Sequence, residues 1–511
     1  MAIALAAPHP EAIAAGERAV AAGGNALDAA LAAAVMLTVV YPHQCALGGD
    51  LIALVRTPAG ETTAVIAAGT APAAIAEAAS GWSEVPRQGP HAVTVPGAVA
   101  GWREIAAIGS RHGLSSAFTD AATVAERGFP VSPGLARALA TRADAVQADP
   151  GMRAVFAPAG TVLDEGDALR QPALAATLRT LADDPDDFYR GGIARSLVHT
   201  LRSGGGTHTV DDFAGYTTEA GPALTRTIGT QTWHVAPPPS VGPVLIGVVA
   251  AAVGEQSDSS PSGPRLVDAA IRGVHARAAA LGDPRAGHID LDLLLDLGVD
   301  VPAPAFAEPR PLGDTVAVAA LDEEGWGVTI VQSVYQTFGA GLLDPGTGIV
   351  LHNRGSAFST DPASPAAVRP GARPPHTLCP AIVDAPEVTV VAGCQGGRAQ
   401  AWILSQILPD AVDPAHDLAA ILERPRWVVG DRDLGQPELS LVAEPGVAAE
   451  VLDRAAQNGL PVVRFPGPAD EAGHVQLVRR ARGEMTSASD PRADGVGIVV
   501  DPHPATEESI A

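Results

Sequence analysis

Lysine is absent, so all 33 basic side chains are arginine, a bias that reflects a GC-rich genome rather than a mechanism. Aromatic residues make up only 4% of the chain. Cysteine is scarce: Cys45, Cys379 and Cys394 are odd in number and none stands in a CxxC pair. That argues against a disulfide framework and against a cysteine-based zinc site, and it fits a reducing compartment. No cluster of His, Asp or Glu has metal-ligand spacing, so neither a metal nor a cofactor is expected. Long hydrophobic runs are missing too. The longest, Ala30 to Tyr41, falls short of the roughly 20 residues a membrane span needs. The first residues carry no basic region ahead of an apolar stretch, so no signal peptide is expected and a cytoplasmic location follows. The net charge of −24 repels phosphate backbones and anionic membranes, which sets nucleic acid and membranes aside as partners.

What is present is an alanine-rich chain of 511 residues, 47% apolar, enough for a large core. The spacing predicts an amphipathic helix over Glu11 to Ala22, ended by Gly23-Gly24. Asn25 is the expected N-cap of a second helix running to about Val40, apolar all round and therefore buried. Leu51 to Arg56 and Thr62 to Ile66 read as a hairpin. Helical patterns dominate from Ala98 to about Ser203, with Gly192 to Ser203 a clear case. Gln256 to Pro264 and the proline-rich stretch Val301 to Asp314 read as loops. Beyond them, Val316 to Leu321, Gly327 to Val334 and Val388 to Ala392 read as strands. The last leads through Gly393-Cys-Gln-Gly-Gly to a helix from Ala399. Strands and helices in groups fit stacked sheet and helix layers.

Several blocks stand in a familiar order. They are Gly23-Gly-Asn-Ala-Leu-Asp28-Ala-Ala; Pro42-His43 followed by Leu47-Gly48-Gly49; Val95-Pro96-Gly97-Ala-Val-Ala-Gly101; Pro237-Pro-Pro-Ser240-Val-Gly242; Pro345-Gly346-Thr347-Gly348-Ile with Leu351 and Asn353; and Gly396-Gly397. In this order they resemble the γ-glutamyltranspeptidase family over most of the chain. The resemblance implies an α+β fold, the four-layer αββα sandwich of the N-terminal-nucleophile hydrolases. It also implies a proenzyme that cuts itself before a threonine. Here the cut falls between Asp314 and Thr315, giving parts 1–314 and 315–511 that stay associated through a shared core.

The resemblance makes Thr315 the catalytic nucleophile and Gly396 and Gly397 the oxyanion donors, at family-like distances that also include Thr337-Phe-Gly. A threonine hydroxyl needs a base. Once Thr315 is a chain end its own α-amine, which titrates near 7.7–8.0, serves as that base. Glycines between a strand and a helix let backbone N–H groups approach a developing oxyanion. The specificity residues depart from the family. No arginine lies between Arg56 and Arg87, and Ala67-Ala68-Gly69-Thr70-Ala71-Pro72 stands where the family keeps its carboxylate-binding arginine. Tyr335, Arg354 and Ala357 replace the residues that read the α-amino group. His376 and Thr377 replace paired serines, and Ser333 replaces a threonine. Arg354 repels an ammonium and suits a carboxylate. Ser333, Tyr335, Arg354, His376 and Thr377 are therefore the expected substrate-binding set. Cys394 reads as structural, since no base motif adjoins it.

The expected activity is that of an amide hydrolase or acyltransferase with a small, anionic, non-γ-glutamyl substrate. The family's acylases and its oxamate-type amidohydrolase illustrate such shifts. Two other readings stand beside it. One is a carbon–carbon bond hydrolase, like relatives in the biosynthesis of 4-alkylproline antibiotics. The other is an unprocessed scaffold without activity.

Overall fold

A computed structural model describes residues 2–253, 261–297 and 314–500. Two antiparallel sheets form its centre. The first runs Val496–Val500, Ile3–Ala7, Asp314–Asp322, Gly327–Tyr335, Asp50–Arg56, Thr62–Ala67 and Glu219–Pro222 in spatial order. The second runs Glu484–Ser489, His474–Ala481, Val388–Gln395, Ala381–Ala385, Gln231–Val235 and Leu224–Ile228.

Alternation along the strands assigns the layers. In Asp314–Asp322, Val316, Val318 and Ala320 join a core shared with the helix Ala26–Val40. Ala317, Ala319 and Leu321 point the other way, toward Ile382, Val391 and Val478 of the second sheet. The far face of that sheet packs Val390, Ala392 and Cys394 against the helices Gly242–Val253, Gly263–Ala280 and Gln400–Ala411. Helices, sheet, sheet and helices stack as the expected α+β, four-layer sandwich. The inner faces mix alanines, among them Ala4, Ala6, Ala317 and Ala319, with larger residues such as Ile52, Leu321, Ile382 and Val391. At Gly393 a Cβ would lie 2.8 Å from Thr329 Oγ1 and 3.0 Å from Ala317 Cβ, so the glycine sets how closely the sheets approach.

The local expectations meet the structure at particular residues. The first helix spans Pro10–Ala21, and Asn25 caps Ala26–Val40, every residue of which is buried. The hairpin is present as Asp50–Arg56 paired with Thr62–Ala67, and Gly192–Ser203 is helical. Two boundaries move. Gly393, Cys394 and Gln395 belong to the strand Val388–Gln395 rather than to a turn. They pair with Gln476, Val475 and His474, and cross-strand pairing overrides the local glycine signal. The loop read to Pro264 ends earlier, because Pro264 sits in the first turn of Gly263–Ala280, where proline's missing N–H costs nothing. Residues 301–313 of the proline-rich stretch lie outside the described residues. Among the described residues no helix is long and apolar enough to cross a membrane.

The first glycine-rich block is architectural. Gly23 has φ +94°, and a Cβ on Gly24 would meet Ala19 O at 2.8 Å. Asp28 accepts hydrogen bonds from Asn25 N (2.9 Å), Ser110 Oγ (2.5 Å), Arg111 N (2.9 Å) and His112 N (3.0 Å). It thereby ties the start of the buried helix to the turn at 110–112. Asp28→Ala leaves these donors without their acceptor. The expected loss is about 3 kcal/mol, from several hydrogen bonds to one charged group, read as a lower urea midpoint at pH 7; an unchanged midpoint contradicts this account.

Buried histidines make a second prediction. Burial opposes protonation of His9, His43 and His208, moving them from 6.5 to about 4, 3 and 4. Below 6.5 the unfolded chain therefore binds more protons than the folded one. Stability rises with pH through this window and is lost as pH falls through it. Asp314, raised by burial to about 6, and Asp322 and Asp433, also raised by burial, oppose the trend. The urea midpoint should fall steadily from pH 6.5 to 4.5. In His208→Gln, which keeps a donor for Val93 O, that slope should be shallower. A pH-independent midpoint is the contrary result.

Candidate active site

Thr315 is the second residue of the central strand Asp314–Asp322 and is buried. Its neighbour Gly327–Tyr335 pairs in regular register up to Gln332↔Val316, then shifts so that Tyr335 faces Asp314. The irregularity places Ser333 against the Asp314–Thr315 bond. Ser333 Oγ donates to Asp314 O at 2.5 Å and accepts from Thr315 Oγ1 at 3.2 Å and from Tyr335 N at 2.7 Å. One hydroxyl thus touches both the predicted nucleophile and the carbonyl of the bond predicted to break. Tyr335 has φ +78° and Phe338 φ +59°, left-handed conformations rare for large side chains and concentrated at functional sites. The segment is held by Val334 N to Gln44 O and Phe338 N to His43 O, both 2.9 Å. The Pro42-His43 block therefore acts as a brace for this turn.

On one side of Ser333 lies a closed polar group. Arg354 is 1% exposed, its guanidinium carbon 3.7 Å from the centre of the Tyr335 ring. Its Nη2 donates to Thr377 Oγ1 at 3.3 Å, while Nε and Nη1 have no hydrogen-bond partner among the described residues. Burial lowers its pKa to about 10, so it is still a cation at neutral pH. Beside it, His376 places Nε2 3.0 Å from Asp50 Oδ2 and leaves Nδ1 without a partner. Asp50 is the cross-strand partner of Ser333. Its other oxygen accepts from Gly69 N at 2.9 Å and Gly97 N at 3.3 Å. His352 Nδ1 stands 3.5 Å from Oδ2, and its Nε2 is 2.9 Å from Thr94 O. Burial alone would raise the Asp50 pKa, but His352, His376 and Arg354 outweigh it and the net shift is downward. Burial lowers His376 to about 4, so its ring is neutral. The ionised Asp50 takes its Nε2 proton.

On the other side an open cleft of about 300 Å³ runs past Asp314, Thr337, Gly396 and Gly397. Gly396 has φ +152° and Gly397 φ +52°, between the strand Val388–Gln395 and the helix Gln400–Ala411. A Cβ on Gly396 would fall 2.4 Å from Ile403 Cδ1, so glycine is required there. The Asp314 carboxyl accepts a hydrogen bond from Thr337 Oγ1. Burial, with the charges of Asp470 and Glu471 adding, lifts its pKa to about 6.

The structure thus brings Thr315 to Ser333, and Tyr335, Arg354 and Thr377 to one another, with His376 alongside. Gly396 and Gly397 face the open cleft, whose lining does not include Arg354, His376 or Thr377. Ala357 is buried in the short turn Arg354–Ala357 and offers no polar group. Ala68, where an arginine was sought, is buried and accepts from Tyr216 OH through its carbonyl at 3.2 Å. Asp50 and His352 escaped the sequence reading. The available signal was a charge opening the apolar run Leu51-Ile-Ala-Leu. Cys394 is buried, and burial raises its thiol pKa well above the ordinary value, as suits a structural residue. Among the described residues no group of three or more His, Cys, Asp or Glu is placed to hold a metal ion.

The gamma-glutamyltranspeptidase family model matches residues 12–500. An oxamate amidohydrolase proenzyme from Klebsiella pneumoniae is 34% identical, with 93% of this chain and 94% of that one covered. A glutathione hydrolase-like proenzyme from Bacillus subtilis is 31% identical, covering 96% of this chain and 97% of that one. The crystal structure of a cephalosporin acylase from Bacillus halodurans superposes with a TM-score of 0.86 at 28% identity, over 97% of this chain and 95% of that one. Two packed antiparallel sheets between helical layers and a match along nearly the whole chain agree: the protein is an enzyme of the γ-glutamyltranspeptidase family, within the N-terminal-nucleophile hydrolases.

Proposed function

We propose that the chain cuts itself between Asp314 and Thr315, yielding parts 1–314 and 315–511, and then hydrolyses amides of small anionic acids through Thr315. Proenzyme names among the relatives support self-processing. The contacts of Ser333 supply its chemistry. Thr315 Oγ1 attacks the Asp314 carbonyl carbon, forming a five-membered ring, while Ser333 stabilises the carbonyl oxygen as it gains charge. The hydroxyl proton passes to the Thr315 nitrogen as the C–N bond breaks, leaving an ester and a free Thr315 amine, and water releases the ester as the Asp314 carboxylate and the Thr315 hydroxyl. In the processed enzyme that amine accepts the hydroxyl proton as Oγ1 attacks the substrate carbonyl and returns it to the leaving nitrogen. Gly396 and Gly397 are the proposed oxyanion donors.

Substrate class rests on Arg354. A buried guanidinium with two unused nitrogens and no carboxylate hydrogen-bonded to it among the described residues is poised for an anion. An ammonium, as on a γ-glutamyl group, would be repelled. The oxamate-hydrolysing relative acts on a small anionic amide by name, which supports the same direction.

Intact mass spectrometry should find two fragments of the wild type, cut before Thr315, and one uncut chain for Thr315→Ala. Ser333→Ala should process about 10²-fold more slowly, the usual cost of one lost oxyanion donor. On oxamate, succinamate and glutathione, the processed protein should prefer an anionic amide to glutathione. Arg354→Met should lower kcat/KM for that amide about 10²-fold, as for loss of a charge-paired contact. An uncut wild type, or glutathione as the best substrate, overturns the reading.

A further inference from the structure

We infer that the Asp314 side chain is a positioning group for the cleavage of its own peptide bond: anchored on Thr337, it holds the Asp314 carbonyl in the orientation from which Thr315 Oγ1 attacks. This rests on the self-processing reading above, which uses the carbonyl of Asp314 and leaves its carboxyl without a part. The side chain adds no step to that chemistry and acts through the geometry of the bond next to it.

Asp314 is gripped at two points. Its carbonyl oxygen accepts from Ser333 Oγ at 2.5 Å, and its carboxyl accepts from Thr337 Oγ1. Both hydroxyls stand on one short segment, on either side of Tyr335, the cross-strand partner of Asp314. That segment is itself held. Tyr335 N donates to Ser333 Oγ at 2.7 Å and Gln336 N to Asn353 Oδ1 at 3.1 Å, while Val334 N and Phe338 N reach Gln44 O and His43 O. The peptide unit between Asp314 and Thr315 is planar and moves as one piece. A single contact at the carbonyl oxygen lets this plane pivot about it. A second contact, through the side chain of the same residue, removes that freedom. Attack through a five-membered ring needs the carbonyl carbon correctly turned toward Oγ1, and a small misplacement of reacting atoms is costly in rate.

Stability does not account for an acid at this position. Burial is the largest influence on the carboxyl, and the Thr337 hydroxyl opposes it. Asp470 and Glu471 add like charge, His474 counters them, and the net pKa stands at about 6. Near neutrality a carboxylate here is therefore disfavoured by the fold. A group kept beside a reacting bond against that cost points to function rather than to packing.

The test follows the full chain after cell-free synthesis, with mass spectrometry reading the first-order rate of the cut before Thr315 and a urea transition showing that each variant is folded. Asp314→Ala and Thr337→Val should each slow the cut about tenfold, for a misplaced reacting bond. The double variant should be no slower than the slower single one, because both changes remove one and the same contact. Asp314→Asn keeps an acceptor and Thr337→Ser keeps the donor, and both should cut within about twofold of wild type. Asp314→Ala or Thr337→Val at the wild-type rate, a double variant slowed by the product of the two single effects, or conservative variants as slow as Asp314→Ala overturn this inference alone. A wild type that never cuts overturns it together with the reading on which it rests.

Discussion

Everything in this molecule depends on how closely two sheets can approach. Their facing surfaces interleave Ala4, Ala6, Ala317 and Ala319 with larger residues such as Leu321, Ile382 and Val391, and Gly393 stands where even a methyl group would collide. Close-packed interiors tolerate little change in volume, so the small side chains fix the layer spacing. The strand carrying Thr315 lies at the centre of this arrangement, with its alternate residues committed to opposite cores. A one-residue slip would send Val316 and Val318 toward the other sheet. The nucleophile candidate is therefore positioned by packing along its whole strand rather than by a few local contacts.

On that rigid base the site divides into two environments of opposite character. One is closed and centred on a buried cation, with Asp50 holding a neutral histidine beside it. The other is open, lined by both acidic and arginine side chains, and runs past Gly396 and Gly397. Ser333 is the cross-strand partner of Asp50 in the first, and Asp314 lines the second. Low local dielectric sharpens the contrast, because a buried group without its partner is costly. Tyr335 helps keep the two apart: its ring carries Arg354, and its left-handed backbone presents N–H to Ser333.

The sequence made the local architecture readable wherever chemistry and periodicity acted over short range. Asn25 caps its helix through its own side chain, and Gly327–Tyr335 announces itself through its β-branched residues Val328, Thr329, Ile330, Val331 and Val334. The αββα sandwich came from the resemblance, as did Thr315 and the glycine pair. Contacts between distant parts of the chain were not legible. Asp50 and His376 are separated by 326 positions, and no local pattern couples them. Arg354 stood out as a departure from the family, but its stacking on Tyr335 depends on the register shift after Gln332, which only the paired strand reveals. Gly393 to Gln395 misled for a related reason, since a partner strand supplied hydrogen bonds that the glycine signal could not anticipate.

The absence of lysine acquires a meaning at Arg354. Burial draws the pKa of this guanidinium down to about 10, a displacement it absorbs without losing its proton near neutrality. A lysine begins lower, near ~10.4, and a comparable displacement would bring it to about 8, where a modest rise in alkalinity discharges it. With arginine in that position the closed half of the site keeps its charge through the neutral range, where a lysine would begin to lose it.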